Sequence, residues 1–257
     1  MPEPPTEEEY NDILDNGIEA ISNGEVSVVI LAGGQGSRLA ASCPKAMMEL
    51  DIPSKSTLLE LQMRRIHKLE MKYCKLNSKQ SAIPTYILTS DSTHSAIAAY
   101  LIRNRYFGVK SVKLVKQKTL PARNPENNQF LLSEKYKVLA APNGNGAVFA
   151  VLKESGALNE MKERGVKYVD IHPIDNALCK PADPCFVGAM IYEEGDAALK
   201  IVKKVGGGEK IGTICQSKTT QKTLVCEYSE LPSGPESEKY VIGNTGMHLF
   251  SVEVIEK

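Results

Sequence analysis

The residues Leu31-Ala32-Gly33-Gly34-Gln35-Gly36-Ser37-Arg38-Leu39, with Pro44-Lys45 shortly after, carry the strongest chemical signal in the chain. Glycines after an apolar run let backbone N–H groups approach a ligand closely, and Arg38 and Lys45 bring two cationic side chains to the same edge. The pattern lacks the GxGxxG of a dinucleotide fold and the GK[ST] ending of a Walker loop, so neither label applies. It reads as a phosphate-handling loop; without its two cations it would be an ordinary glycine-rich turn. The six cysteines show no CxxC pair and no zinc-type spacing. Nor does any His or Cys constellation stand out as a nucleophile with its base.

The elements that position this loop follow from apolar periodicity. Residues 26–31 form a nearly continuous apolar run closed by glycines, which predicts a buried parallel strand. Thr57 and Glu60 make a capping box for a helix whose Leu58, Leu61, Ile66 and Leu69 share a face. Residues 84–91 read as a second strand, followed by a helix capped at Ser92 that carries Ile97, Tyr100 and Leu101. A third strand is expected at 111–116, helical stretches at 146–152 and 158–164, and a strand at 166–171 running into His172-Pro173-Ile174-Asp175-Asn176. Asp183-Pro184 fits an N-cap followed by proline at the first helical position, with that helix stopping near Gly195. Beyond residue 197 the pattern turns to strands with short connections, at 199–205, 211–216, 223–230 and 247–254. The sum predicts an α/β fold with a mostly parallel central sheet and a β-rich second half.

The run LAGGQGSRL followed by PK resembles the signature of eukaryotic-type UDP-N-acetylhexosamine pyrophosphorylases, which are sugar nucleotidyltransferases. Further segments are similar to that family in the same order: Gln117 to Ala122, Ala141 to Gly146, Ile174-Asp175-Asn176, Ala182-Asp183-Pro184, Val225 to Glu230, and Gly243-Asn244 with His248. The likeness covers nearly the whole chain. Departures are Ser37 for the usual Thr, Ala40 for Gly, and Ala46 for the Gly after Pro-Lys. The resemblance implies a Rossmann-like, GT-A-like nucleotidyltransferase fold with a sugar-binding second half. Residues 1–25, rich in Pro and Glu at their start, read as an N-terminal leader or helical segment, and 26–257 as the nucleotidyltransferase catalytic domain. The resemblance implies that family members continue well past the segment around His248, so this domain is expected to lack the family's C-terminal part.

The same resemblance implies roles. Leu31, Ala32, Gly33 and Gly34 would lie against the nucleotide, where only small residues and bare backbone permit approach. Gln117 and Gly144 would hold the uracil, since an amide offers both donor and acceptor to a pyrimidine edge. Arg38 and Lys45 would be the catalytic cations, and Asp175 would bind Mg²⁺ (or Mn²⁺), a hard cation that takes one or two carboxylates plus phosphate oxygens. Asn145, Asn176, Glu227, Tyr228 and Asn244 would contact the sugar; His248 receives no chemical role. As bare patterns, Asp175 fits a turn or cap equally well, Gln117 reads as a solvent-facing strand end, and Glu227 and Tyr228 are strand neighbours pointing to opposite faces. The implied substrates are UTP and N-acetylglucosamine 1-phosphate. A UDP-glucose or broad UDP-sugar pyrophosphorylase, and a nucleotide-sugar binding module without turnover, are the alternatives.

Composition bounds these readings. In 257 residues, 31 Lys+Arg balance 31 Asp+Glu, with 42% hydrophobic and 24% charged residues, which fits a globular protein rather than a disordered chain. Zero net charge, 6% aromatics and no Trp argue against a nucleic-acid partner. No apolar stretch approaches the roughly 20 residues that span a bilayer. Sparse cysteines and the lack of a signal-peptide pattern lead us to expect a soluble, cytoplasmic protein with no membrane partner. Oligomeric state is not legible in the sequence.

Overall fold

The computed structural model describes residues 4–35, 43–74, 82–205, 209–231 and 239–257. Helix α1 (Glu7–Ser22) precedes β1 (Val26–Leu31), α2 (Leu58–Tyr73), β2 (Thr85–Thr89), α3 (His94–Arg103) and β3 (Val112–Lys116). A surface arm follows, built of β4 (Thr119–Pro121), β5 (Leu132–Glu134), β6 (Lys137–Val138) and β7 (Ala140–Pro142). Next come α4 (Val148–Glu154), α5 (Ala157–Glu163), β8 (Tyr168–Pro173), α6 (Pro184–Tyr192), β9 (Ala197–Lys203), β10 (Thr213–Gln216), β11 (Thr223–Cys226), β12 (Ile242–Ser251) and α7 (Val252–Glu256).

The large sheet has the order β11-β10-β12-β8-β1-β2-β3, with β9 also paired to β12. Strands β8, β1, β2 and β3 run parallel, as crossover helices require. The later strands join antiparallel onto β8 through β12, so the fold is mixed α/β with its parallel strands early in the chain. Side-chain alternation along β1 feeds two cores. Val26, Val28 and Ile30 pack with α2, α3, α1 and α6 on one face. Val29 packs with α4, α5 and α7 on the other, which explains why β1 is apolar on both sides.

Helix α1 starts at a full capping box: Thr6 Oγ1 accepts from Glu9 N, while the Glu9 carboxylate accepts from Thr6 N. The helix lies on α6 with backbones in close approach. A Cβ placed on Gly188 would stand 1.7 Å from the Ile13 carbonyl oxygen, and one on Gly17 would stand 1.9 Å from the Pro184 carbonyl oxygen. Two glycines therefore set the spacing of this pair.

Several boundaries differ from expectation for local reasons. Thr57 caps α2 by accepting from Glu60 N, but the Glu60 carboxylate turns to Arg64 Nε at 2.7 Å instead of closing the box. Helix α3 has Thr93, not Ser92, at its N-cap, and Thr93 Oγ1 is engaged with Ser90 N. Strand β11 ends at Cys226 because Glu230 N donates to the Glu227 carbonyl, closing a turn. At the end of the chain, β12 begins at Ile242 and hands over to α7, which Ser251 caps by accepting from Val254 N. Asp183 caps α6 as expected, accepting from Cys185 N.

Candidate active site

The carboxyl ends of β1, β2, β3 and β8 converge. Strand order reverses at β1, with β2 on one side and β8 on the other, and ligands of open α/β sheets bind outside the strand ends at such a switch point. Residues 32–34 leave β1 here. Ala32 N donates to the Leu88 carbonyl at 2.8 Å, while Ser90 Oγ from the end of β2 donates to the Gly33 carbonyl at 2.8 Å. Lys45 N donates to the Gly34 carbonyl at 3.2 Å, which folds the Pro44-Lys45 turn back onto the loop. Gln117 follows β3 with only 5% of its surface exposed, its amide against Gly33.

These residues enclose a cavity of about 280 Å³ whose walls include Leu31, Gly33, Gly34, Lys45, Gln117 and Asp175. Gly144 also lines it, held at φ +74°, a left-handed backbone that glycine adopts freely. A second cavity, of about 470 Å³, shares Leu31, Pro173 and Asp175 with the first and extends to Glu227, Asn244 and His248. Asp175 thus stands where the two meet. Its Oδ2 accepts from Lys45 Nζ at 2.5 Å, and both side chains remain partly open, at 47% and 30% exposure. The segment carrying Asp175 is anchored from below. Gln62, fully buried on α2, donates to the Ile174 carbonyl at 3.1 Å and takes a hydrogen bond from His172 Nε2 at 3.0 Å.

The second cavity has a partly aromatic wall. Phe149 and Phe250 meet edge to face with centroids 5.3 Å apart, and the His248 ring stacks obliquely on Phe250. Burial pushes the His248 imidazole below its ordinary range, against a smaller opposing pull from the Asp170 charge. Asn244 Oδ1 accepts from Gly246 N at 3.0 Å, pinning the irregular stretch of β12 that lines this cavity.

Among the expected site residues, Leu31, Gly33, Gly34, Lys45, Gln117, Gly144 and Asp175 meet in the first cavity, and Glu227 and Asn244 in the second. Ala32 lines neither cavity: its methyl is fully buried in the core, while Leu31 and Gly33 on either side line the first. Asn176 turns away, its Oδ1 accepting from Leu178 N at 3.1 Å within a turn. Tyr228 is exposed and lies outside the cavity lining. Asn145 opens the short turn that leads into α4. Arg38 lies outside the described residues. Sequence reasoning missed Ser90 and Thr93, which hold the loop carbonyls, and the ring wall of Phe149, His248 and Phe250. Only the Ser/Thr cluster after β2 signalled the first pair.

A cavity at the switch point, joined to a second cavity at a lysine–carboxylate pair, thus lies at the strand ends of a mixed α/β fold. The chain belongs to the UTP--glucose-1-phosphate uridylyltransferase family, whose pattern matches residues 2–251. It is 33% identical over 250 residues to the UDP-N-acetylglucosamine pyrophosphorylase of Saccharomyces cerevisiae, covering 94% of this chain and 51% of that one. It is also 33% identical over 248 residues to the human UDP-N-acetylhexosamine pyrophosphorylase-like protein 1, covering 92% and 48%. The crystal structure of the uridine diphosphate N-acetylglucosamine pyrophosphorylase from Trypanosoma brucei superposes with a TM-score of 0.86 at 26% identity, covering 97% of this chain and 51% of that one. The chain thus spans about half the length of the curated relatives it matches.

Proposed function

We propose that the chain carries the uridylyl-transfer site of a UDP-N-acetylglucosamine pyrophosphorylase, on a GT-A-like nucleotidyltransferase fold. The reaction joins UTP and N-acetylglucosamine 1-phosphate to give UDP-N-acetylglucosamine and pyrophosphate. The observation that carries this reading is the Lys45–Asp175 pair at the junction of the two cavities. One cavity suits a nucleotide and the other a sugar, so the phosphates of both substrates come together at that junction.

A phosphate oxygen of the sugar phosphate attacks the α-phosphorus of UTP, and the bond to the departing pyrophosphate breaks. The attacking phosphate is already ionised at neutral pH, so alignment and charge screening are the main tasks and no general base is needed. The Lys45 ammonium screens the approaching phosphates, and the amides of the Gly33-Gly34 loop face the nucleotide. Arg38, by its place in the loop motif, assists the leaving group. Asp175 has the donor chemistry for Mg²⁺: a single carboxylate open to the cavity suits a cation shared with substrate phosphates rather than an all-protein cage. Among the described residues no group of three or more His, Cys, Asp or Glu is gathered for a metal. When bound, the ion would withdraw charge from the phosphates.

Glu227 and Asn244, which line the second cavity, would meet sugar hydroxyls, and the Phe149–Phe250 wall would give an acetamido methyl group an apolar surface. That wall favours N-acetylhexosamine over glucose. No helix among the described residues is long and apolar enough to cross a membrane. The test is pyrophosphate release on mixing the chain, UTP, Mg²⁺ and each sugar 1-phosphate in turn. Release with N-acetylglucosamine 1-phosphate but little with glucose 1-phosphate is expected. Preference for the glucose compound would overturn the sugar assignment, and tight UTP binding without release from any sugar would identify a binding module.

A further inference from the structure

Cys215 on β10 and Cys226 at the end of β11 have their Sγ atoms 2.9 Å apart. The antiparallel register pairs Cys215 with Leu224 and Thr213 with Cys226, so the two cysteines are diagonal neighbours on one face of the ribbon. A disulfide needs a sulfur separation of about 2.05 Å, so closure asks for less than about 1 Å of movement. The ribbon can supply it: among the described residues β11 is the last strand of the sheet, with no further strand on its outer side. Both thiols are half-buried and within reach of a small oxidant. Of the other four, Cys74 and Cys179 are buried, Cys185 contacts the Tyr10 hydroxyl at 3.4 Å, and Cys43 is half-buried on a different segment of the chain.

The pair also adjoins the second cavity. Glu227, which lines it, is the residue after Cys226, and Gly212, which lines it too, precedes Thr213, the register partner of Cys226. We propose that Cys215 and Cys226 are a redox site that closes reversibly to a disulfide, stapling β10 to β11 and drawing Glu227 out of its place in the sugar cavity. With glutathione disulfide as oxidant, one cysteine thiolate attacks a sulfur of the oxidant and expels a glutathione thiolate. The second cysteine then attacks the mixed disulfide and expels the other. Two protein thiols are oxidised, one small disulfide is reduced to two thiols, and the two protons released by the cysteines pass to the departing thiolates or solvent. Dithiothreitol reduces the protein disulfide back to two thiols and is itself oxidised to its cyclic disulfide.

The disulfide stands on its own; the effect on the sugar cavity rests on the function proposed above. Incubation of the fully reduced chain with glutathione disulfide, then thiol counting after denaturation, is expected to lower the count from six to four. Peptide mapping without reductant should join the Cys215 and Cys226 peptides in the wild type, and no such crosslink should form in Cys226→Ser or Cys215→Ser. Retention of all six thiols, a different pairing, or glutathione adducts alone would overturn the site. In calorimetry the oxidised chain should bind UTP as the reduced chain does and UDP-N-acetylglucosamine about fivefold more weakly, the loss expected for one displaced hydrogen bond. Equal affinity for the nucleotide sugar in both states would remove the coupling. Failure of the reduced chain to bind either ligand would count against the proposed function, while thiol count and map still decide the disulfide.

Discussion

Replacing Gly33 with alanine isolates the contact between the phosphate loop and Gln117. A Cβ at this position would stand 2.4 Å from Gln117 Nε2 and 3.2 Å from its Cδ, whereas ordinary contact begins at about 3.4 Å. The amide must therefore retreat by about 1 Å. Gly33 is not in the left-handed region, so its backbone accepts alanine without strain, and the clash falls on the end of a flexible side chain. The cost should thus appear in binding and not in folding. If the amide presents a donor and an acceptor to the uracil edge, its retreat misaligns two hydrogen bonds of about 0.5–1.5 kcal/mol each. Together they amount to about 1–3 kcal/mol, or roughly 5- to 150-fold in UTP affinity. Calorimetric titration with UTP reads that loss, and a thermal melt should show a shift of no more than a few degrees. Gln117→Ala should lose a comparable amount, and the double variant less than the sum, because both changes disable one contact. Unchanged UTP affinity in Gly33→Ala would remove Gln117 from the nucleotide site.

Gly188→Ala should do the reverse, since its Cβ would meet a backbone oxygen at 1.7 Å and α1 has to lift from α6. A loss of about 3 kcal/mol or more is expected in urea unfolding, against a few tenths for a substitution at an exposed site on the same helices. Thr6→Ala removes the capping box of α1 and should cost about 1 kcal/mol by the same assay. His248 offers a test by pH. Its folded form holds the imidazole below the ordinary 6.5, so the unfolded chain binds the proton more readily. The wild type should lose stability as pH falls through about 6.5 toward the lowered value, and His248→Gln should lose less over the same interval. Parallel unfolding midpoints at pH 7.5 and 5.5 would show the difference; identical losses would deny that His248 is desolvated.

How far the sequence could be read depended on whether burial leaves a local pattern. Strand β1 was legible because both faces are covered, leaving no polar alternation in Val26 to Leu31. Asp183-Pro184 was legible because capping is chemistry between adjacent residues. Helix α1 was much harder to read, although Thr6 and Glu9 spell a capping box, because it docks on α6 through glycine backbone more than through a stripe of large apolar side chains. The arm of β4 to β7 left no strand signal, as its strands are two or three residues long and β5 and β6 are exposed. At the site, motifs brought Lys45 and Asp175 forward, but no spacing shows that residues 130 apart share a hydrogen bond. Ala32 illustrates the opposite limit. A motif marks the loop as a whole, while alternation sends one of its side chains into the core.

The central claim is that uridylyl transfer takes place where the two cavities meet at Lys45 and Asp175. The most direct measurement is the initial rate of pyrophosphate release from UTP, Mg²⁺ and N-acetylglucosamine 1-phosphate, taken side by side for the wild type and Lys45→Ala with circular dichroism confirming the fold of both. The account predicts release that depends on the sugar phosphate and falls by orders of magnitude in the variant. Equal rates in the two proteins, or release indifferent to the sugar phosphate, would contradict it.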